Sequence, residues 1–199
     1  KLPKPAGEVI RVADVGQLFK AVEAVKPGGT ILLADGRYMM PRYLGITTDR
    51  VTLRSESGDR NKVILDGASS RHGELVGITG CEGVTIAQLT VANVKWNGIK
   101  INSDHGARRV RVYDCVVHNV WQRGIKGPAV PEGQREEFCP RDCRVEYCLF
   151  YNDRPKRFSD DETDTPETFN GNYVAGIDVM YGEGWVIRHN VFLGLQGRT

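Results

Sequence analysis

A short element, Gly-Ile-x, recurs along this chain, and charge collects at its third residue: Gly98-Ile99-Lys100, Gly124-Ile125-Lys126 and Gly176-Ile177-Asp178. Side chains alternate in a strand, so isoleucines that point inward leave Lys100, Lys126 and Asp178 pointing outward. Stacked in neighbouring strands about 4.8 Å apart, they form one outward column, which the pattern extends back to Thr79. Stacked lysines repel, and such proximity lowers a lysine's pKa and makes it a usable general base near neutrality. Carboxylates offer a second chemistry: Asp178 with Glu183 or Asp104 suits glycoside hydrolysis if the two lie about 5–10 Å apart. Polar groups flank the column. Gln122 and Arg123 precede Lys126, Asp104 and His105 follow Lys100, and Tyr181 and Glu183 follow Asp178. The bland alternative is an ordinary soluble surface, in which a Lys–Asp neighbour pair stabilises a ladder by about 0.2–1 kcal/mol. Likewise a loop histidine such as His105 is more often simply solvated. Trp96, Trp121 and Trp185 could be flat binding platforms or packing residues near strand ends.

The column requires strands that stack in phase, and the sequence repeats accordingly. Val84-Thr-Ile-Ala-Gln-Leu-Thr-Val-Ala-Asn-Val94 matches Val110-Arg-Val-Tyr-Asp-Cys-Val-Val-His-Asn-Val120, 26 residues further on. The same offset carries Gly98-Ile99-Lys100 onto Gly124-Ile125-Lys126. Further copies begin at Cys143 and at Trp185. Periods in the twenties built from short β-branched strands indicate a solenoid. A leucine-rich repeat would show its Leu-x-x-Leu-x-Leu signature, and a sandwich would need antiparallel alternation. The expected fold is therefore all-β: a right-handed parallel β-helix.

Residues 1–29 read as its N-terminal cap. Val9–Val12 reads as a strand, and Asp14 then precedes Val15, Leu18, Phe19, Val22 and Val25 at helical spacing. Asp14 is the expected N-cap, with Gln17 placed for a capping box, and Lys26-Pro27-Gly28-Gly29 stops the helix. A helix here would cover the apolar end of the first coil. Two insertions interrupt the repeat. Loops 131–142 and 154–174 should rise on opposite margins of the Lys126 strand and form a groove, since insertions in solenoids tend to map to the binding side. The whole of 1–199 reads as one domain. No helix or polar coil follows Leu195, so the expectation is that further coils or another chain cover the C-terminal end.

Composition narrows the partners. A formal net charge of +2 lacks the basic excess of a nucleic-acid binder. No apolar run approaches the ~18 residues of a membrane span. Neither a zinc-like Cys/His set, an EF-hand pattern nor a phosphate-binding glycine loop is present, so no metal residues are assigned. Of the five cysteines, Cys115 and Cys148 lie in apolar strand patterns and read as core. Cys139 and Cys143 lie in a polar loop and could bridge each other if geometry allows.

The stretch from Ala24 to Gly67, with Val25-Lys-Pro-Gly-Gly-Thr-Ile-Leu-Leu-Ala-Asp-Gly-Arg-Tyr38, resembles the cap and first coils of secreted parallel β-helix proteins. It is similar to the chondroitinase B and alginate lyase group of polysaccharide lyases. That resemblance implies a secreted or periplasmic protein acting on a uronate-containing polysaccharide by β-elimination. A lysine would abstract the proton beside the uronate carboxylate, while an Arg, and often calcium, offsets that carboxylate's charge. Lys126 would be the base, with Lys100 and Arg123 neutralising the carboxylate. Calcium rests on the resemblance alone, and no acidic ligand set of that group matches here. The alternatives are a glycoside hydrolase on the same scaffold and a non-catalytic carbohydrate-binding or structural β-helix.

Overall fold

A computed structural model describes residues 2–5, 7–171 and 174–195, apart from the side chains at 168, 170 and 171. From Thr30 onward the described strands alternate in order among three all-parallel sheets, of seven, six and five strands when Val9–Val12 is counted in the first. One coil runs Thr85–Ala87, Thr90–Val94, Asn97–Asn102, and the next runs Arg111–Tyr113, Val116–Val120, Arg123–Gly127. Each strand of the first coil pairs with its counterpart in the second. This is the expected parallel β-helix, whose parallel crossovers are right-handed in nearly all known folds. No described helix is long and apolar enough to cross a membrane.

The core follows from register. Leu53, Ile86, Val112 and Val145 stack inside the first sheet, and Leu65, Val91, Val117 and Phe150 inside the second. Ile99 and Ile125 stack inside the third, continued by Ile177. Ile99 and Ile125 are fully buried, and burying such a side chain stabilises by about 1.5–3 kcal/mol. The repeated asparagines Asn93 and Asn119 both have positive φ, 57° and 53°. Asn tolerates this left-handed conformation better than most residues, which accounts for its return at the same place in these two coils. The last described coil leaves Ile187, Val191, Phe192 and Leu193 about half exposed.

The cap forms as expected. Strand Val9–Val12 pairs with Thr30–Leu33, and helix α1 (Val15–Ala24) follows it. Asp14 Oδ1 accepts from Gln17 N at 2.8 Å. The return bond shifts by one residue: Gln17 Oε1 accepts from Ala13 N at 2.9 Å, not from the N-cap. Leu18, Ala21 and Val22 bury against the first coil. The cysteine bridge does not form, since all five thiols are free. Cys139 Sγ donates to the Tyr181 carbonyl at 2.7 Å, while Cys143 is fully buried and donates to the Arg141 carbonyl at 3.6 Å. Cys115 and Cys148 are buried core residues.

The glycine of each Gly-Ile-x element is fixed by coil stacking. A Cβ on Gly124 would come within 2.6 Å of the Gly176 carbonyl and 2.9 Å of the Phe150 ring. One on Gly98 would approach the Gly124 carbonyl at 2.8 Å. Gly124→Ala should therefore destabilise the fold by about 1–3 kcal/mol through overpacking, measured as a lower denaturation midpoint at unchanged m-value. An unchanged midpoint would contradict this stacking geometry.

Candidate functional site

The third sheet presents the outward column. Its register places Lys100 opposite Lys126, and Lys126 opposite Asp178. Thr79 is not a member. Ile78 lies opposite Ile101 rather than Ile99, which puts Thr79 beside Asn102 and Gly77 beside Lys100. Thr79 Oγ1 accepts from Asn102 Nδ2 at 2.7 Å instead. The expected alignment slipped by two residues because a period-two pattern looks the same after such a shift.

The stacked lysines are not a bare like-charge pair. Lys126 Nζ lies 2.8 Å from Asp178 Oδ2, and Arg123 Nε lies 3.2 Å from the same oxygen. Lys100 Nζ lies 2.9 Å from Glu74 Oε1, which also accepts from Asn97 Nδ2 at 2.9 Å. Three cations and two carboxylates thus pair on one face, each side chain at most a quarter exposed. Asn97 Oδ1 is buried there with no hydrogen-bond partner among the described residues. Glu74 and Asn97 carry no signal in the repeat. Glu74 lies just outside strand Val76–Thr79, and only folding brings it against Lys100.

A hydrogen-bonded chain ties this cluster to the longer loop. Gln122 Oε1 accepts from Arg123 at 3.0 Å, and Gln122 Nε2 donates to Asp161 Oδ2 at 2.6 Å. Asp161 is fully buried and also accepts from the Trp96 indole at 2.9 Å and the Thr163 hydroxyl at 2.6 Å. Lys156, buried as well, lies 3.3 Å from Asp161 and 2.9 Å from Asp164. Arg154 clasps Asp160 and lies 4.4 Å over the Trp121 ring. The loop expected to wall one side of the groove is thus docked by its own carboxylates at the leading margin of the sheet. Trp96 and Trp121 serve that docking. Trp185 donates to the Pro140 carbonyl at 2.6 Å, within the other loop.

That other loop holds the trailing margin. Arg141 pairs with Glu183 at 2.8 Å, and the Arg135 guanidinium lies 3.7 Å from the Tyr181 ring centre. Tyr181 and Glu183 therefore belong to the rim formed with 131–142 and not to the Lys126 cluster. His105 is also apart. It sits in the short helical turn Ser103–His105, its side chain 64% exposed and 3.2 Å from Asp104. Asp178 is held by two cations and Glu183 by Arg141, while Asp104, the other carboxylate expected as a partner for Asp178, lies beside His105.

A calcium ion takes several oxygen ligands, carboxylates foremost. Among the described residues no three His, Cys, Asp or Glu side chains gather in a metal-holding group. Both carboxylates facing the cluster, Glu74 and Asp178, are engaged by ammonium groups. The donor set does not fit calcium.

Burial alone would raise the Asp161 carboxyl, but hydrogen bonds from Thr163, Gln122 and Trp96 outweigh it and hold the group at about 2. A carboxyl depressed below its unfolded value of about 3.9 adds stability above that pH, and the contribution fades as pH falls toward 2. The stability gap between the protein and Asp161→Asn should be widest above pH 4 and close toward pH 2, measured by urea unfolding. A gap independent of pH would contradict the docking role of the ionised carboxylate.

No family model matches the sequence, and no curated protein matches it. Among solved structures, the chain is similar to an alginate lyase from Paenibacillus sp. str. FPU-7, with a TM-score of 0.63 and 14% identity. That match covers 98% of this chain and 69% of the lyase. A PL6 family polysaccharide lyase from Pseudopedobacter saltans matches with a TM-score of 0.49 and 16% identity, covering 94% of this chain and 47% of that one. The likeness to the Paenibacillus lyase shows that this chain has the parallel β-helix fold of a polysaccharide lyase.

Proposed function

We propose that the chain acts on a uronate-containing polysaccharide by β-elimination. The observation that carries this reading is the gathering of Lys100, Arg123 and Lys126 on one outward face, partly buried, between two docked loops. A polyanion is the ligand such a face recognises, since guanidinium and ammonium groups match carboxylates in charge and hydrogen bonding. The alginate lyase on the same fold adds support for the substrate class. A secreted or periplasmic location accords with a polymeric substrate.

Lys126 is the proposed base. It would take the proton beside the carboxylate, while Lys100 and Arg123 face the carboxylate and stabilise the charge that spreads onto it. Substrate binding must then loosen the Lys126–Asp178 pair, with the uronate carboxylate taking the place of Asp178 beside Arg123. Asp178 acts meanwhile as the internal counter-ion that keeps the cations in register.

The test is incubation with a panel of uronate polymers, following the ultraviolet absorbance of the C4=C5 double bond. The expected result is unsaturated product from at least one polymer, reduced about 100-fold or more in Lys126→Ala with an unchanged unfolding midpoint. Undiminished turnover in that variant would remove Lys126 as the base.

A further inference from the structure

The outward column continues past Lys100 to Gly77, which has no side chain, and the space is not empty. A Cβ on Gly77 would collide with the hydroxyl of Tyr43. Tyr43 comes from the coil before, just ahead of strand Leu44–Ile46, and lays its phenol across the Gly77 backbone. Because Gly77 lies opposite Lys100, the Tyr43 hydroxyl takes the place next to Lys100 in the column. The order along the face is Tyr43 hydroxyl, over Gly77, then Lys100, Lys126 and Asp178, on strands about 4.8 Å apart.

The hydroxyl is also oriented. Asn102 Nδ2 donates to Tyr43 Oη at 3.2 Å and to Thr79 Oγ1 at 2.7 Å. Both protons of that amide are thereby committed, and the phenol oxygen is cast as an acceptor toward Asn102. Its own proton is left to donate elsewhere. The amide is itself nine-tenths buried, at 9% exposure, so this arrangement is fixed by the sheet.

We propose that Tyr43 is the proton donor to the leaving oxygen in the elimination, an assignment that rests on the lyase reading above. A sugar seated over Lys100 would have the Lys126 base on one side and the Tyr43 hydroxyl on the other. Lys126, released from Asp178 by the substrate and having lost its ammonium proton to solvent, takes the C5 proton as the free amine, and the C5–H electron pair forms the C4=C5 bond. The C4–O bond breaks, and the departing oxygen takes the Tyr43 proton and leaves as a hydroxyl. The Lys126 ammonium then returns its proton through solvent to the Tyr43 phenolate, beside the Lys100 charge, and the site is reset. No other reactant is needed.

Tyr43→Phe keeps the ring that covers Gly77 and removes only the proton. On uronate polymer its kcat should fall about 100-fold or more, with KM within about threefold. A 4-O-nitrophenyl uronate has a leaving group that needs no proton, so on it the loss should nearly vanish. Gly77→Ala should reproduce the Tyr43→Phe loss by displacing the phenol, and the double variant should lose no more. Wild-type activity in Tyr43→Phe, or an equal loss on both substrates, would overturn the role of Tyr43 and leave the lyase reading intact. Absence of unsaturated product from the wild-type protein on every polymer would overturn both.

Discussion

The in-phase backbone pairing of the third sheet is the constraint on which the rest depends. Parallel strands one coil apart meet residue for residue, so a side chain's neighbour along the face is set by register alone. Lys100, Lys126 and Asp178 are separated in sequence by full coils and yet form one row. The stacked isoleucines beneath them hold that register, because a one-residue slip would turn them outward and the charges into the core. The bare glycines Gly98 and Gly124 make the stacking close enough to be single-valued.

Charge on this face is organised by the same spacing. Rungs about 4.8 Å apart bring like charges within strong repulsion unless counter-ions intervene. Glu74 and Asp178 are those counter-ions, one for each lysine, and Arg123 shares the second. The result is a face of three cations whose charge is offset by two internal carboxylates. The two loops then frame it. One is docked through the buried Asp161 on Gln122 and Trp96, the other through Arg141 on Glu183.

The solenoid was legible in the sequence because its repeat is made of strictly local features: β-branched runs, a left-handed Asn and a Gly-Ile pair. The column of Lys100, Lys126 and Asp178 was legible for the same reason. What lay beyond reach depended on contacts between coils that share no pattern. Tyr43 has no counterpart in the repeat, and because the sequence pattern put Thr79 in the row, the bare position at Gly77 that Tyr43 fills emerges only from the register. Thr79 was misplaced by two residues because alternation cannot distinguish such a shift. Asp161 is one of several acidic residues in its loop with nothing local to single it out, and its burial against Trp96 and Gln122 is a tertiary event. Cys139 and Cys143, close in sequence, remain separate thiols, one on the Tyr181 carbonyl and the other on the Arg141 carbonyl.

The central claim is that the ligand-binding face is the outer side of the third sheet, over Lys100 and Lys126. A crystal structure of Lys126→Ala with a uronate oligosaccharide tests it most directly. The expected density runs along the solenoid axis between loops 131–142 and 154–174, with a sugar carboxylate beside Arg123 and Lys100. Density on the outer face of either other sheet, with the third sheet bare, would contradict it.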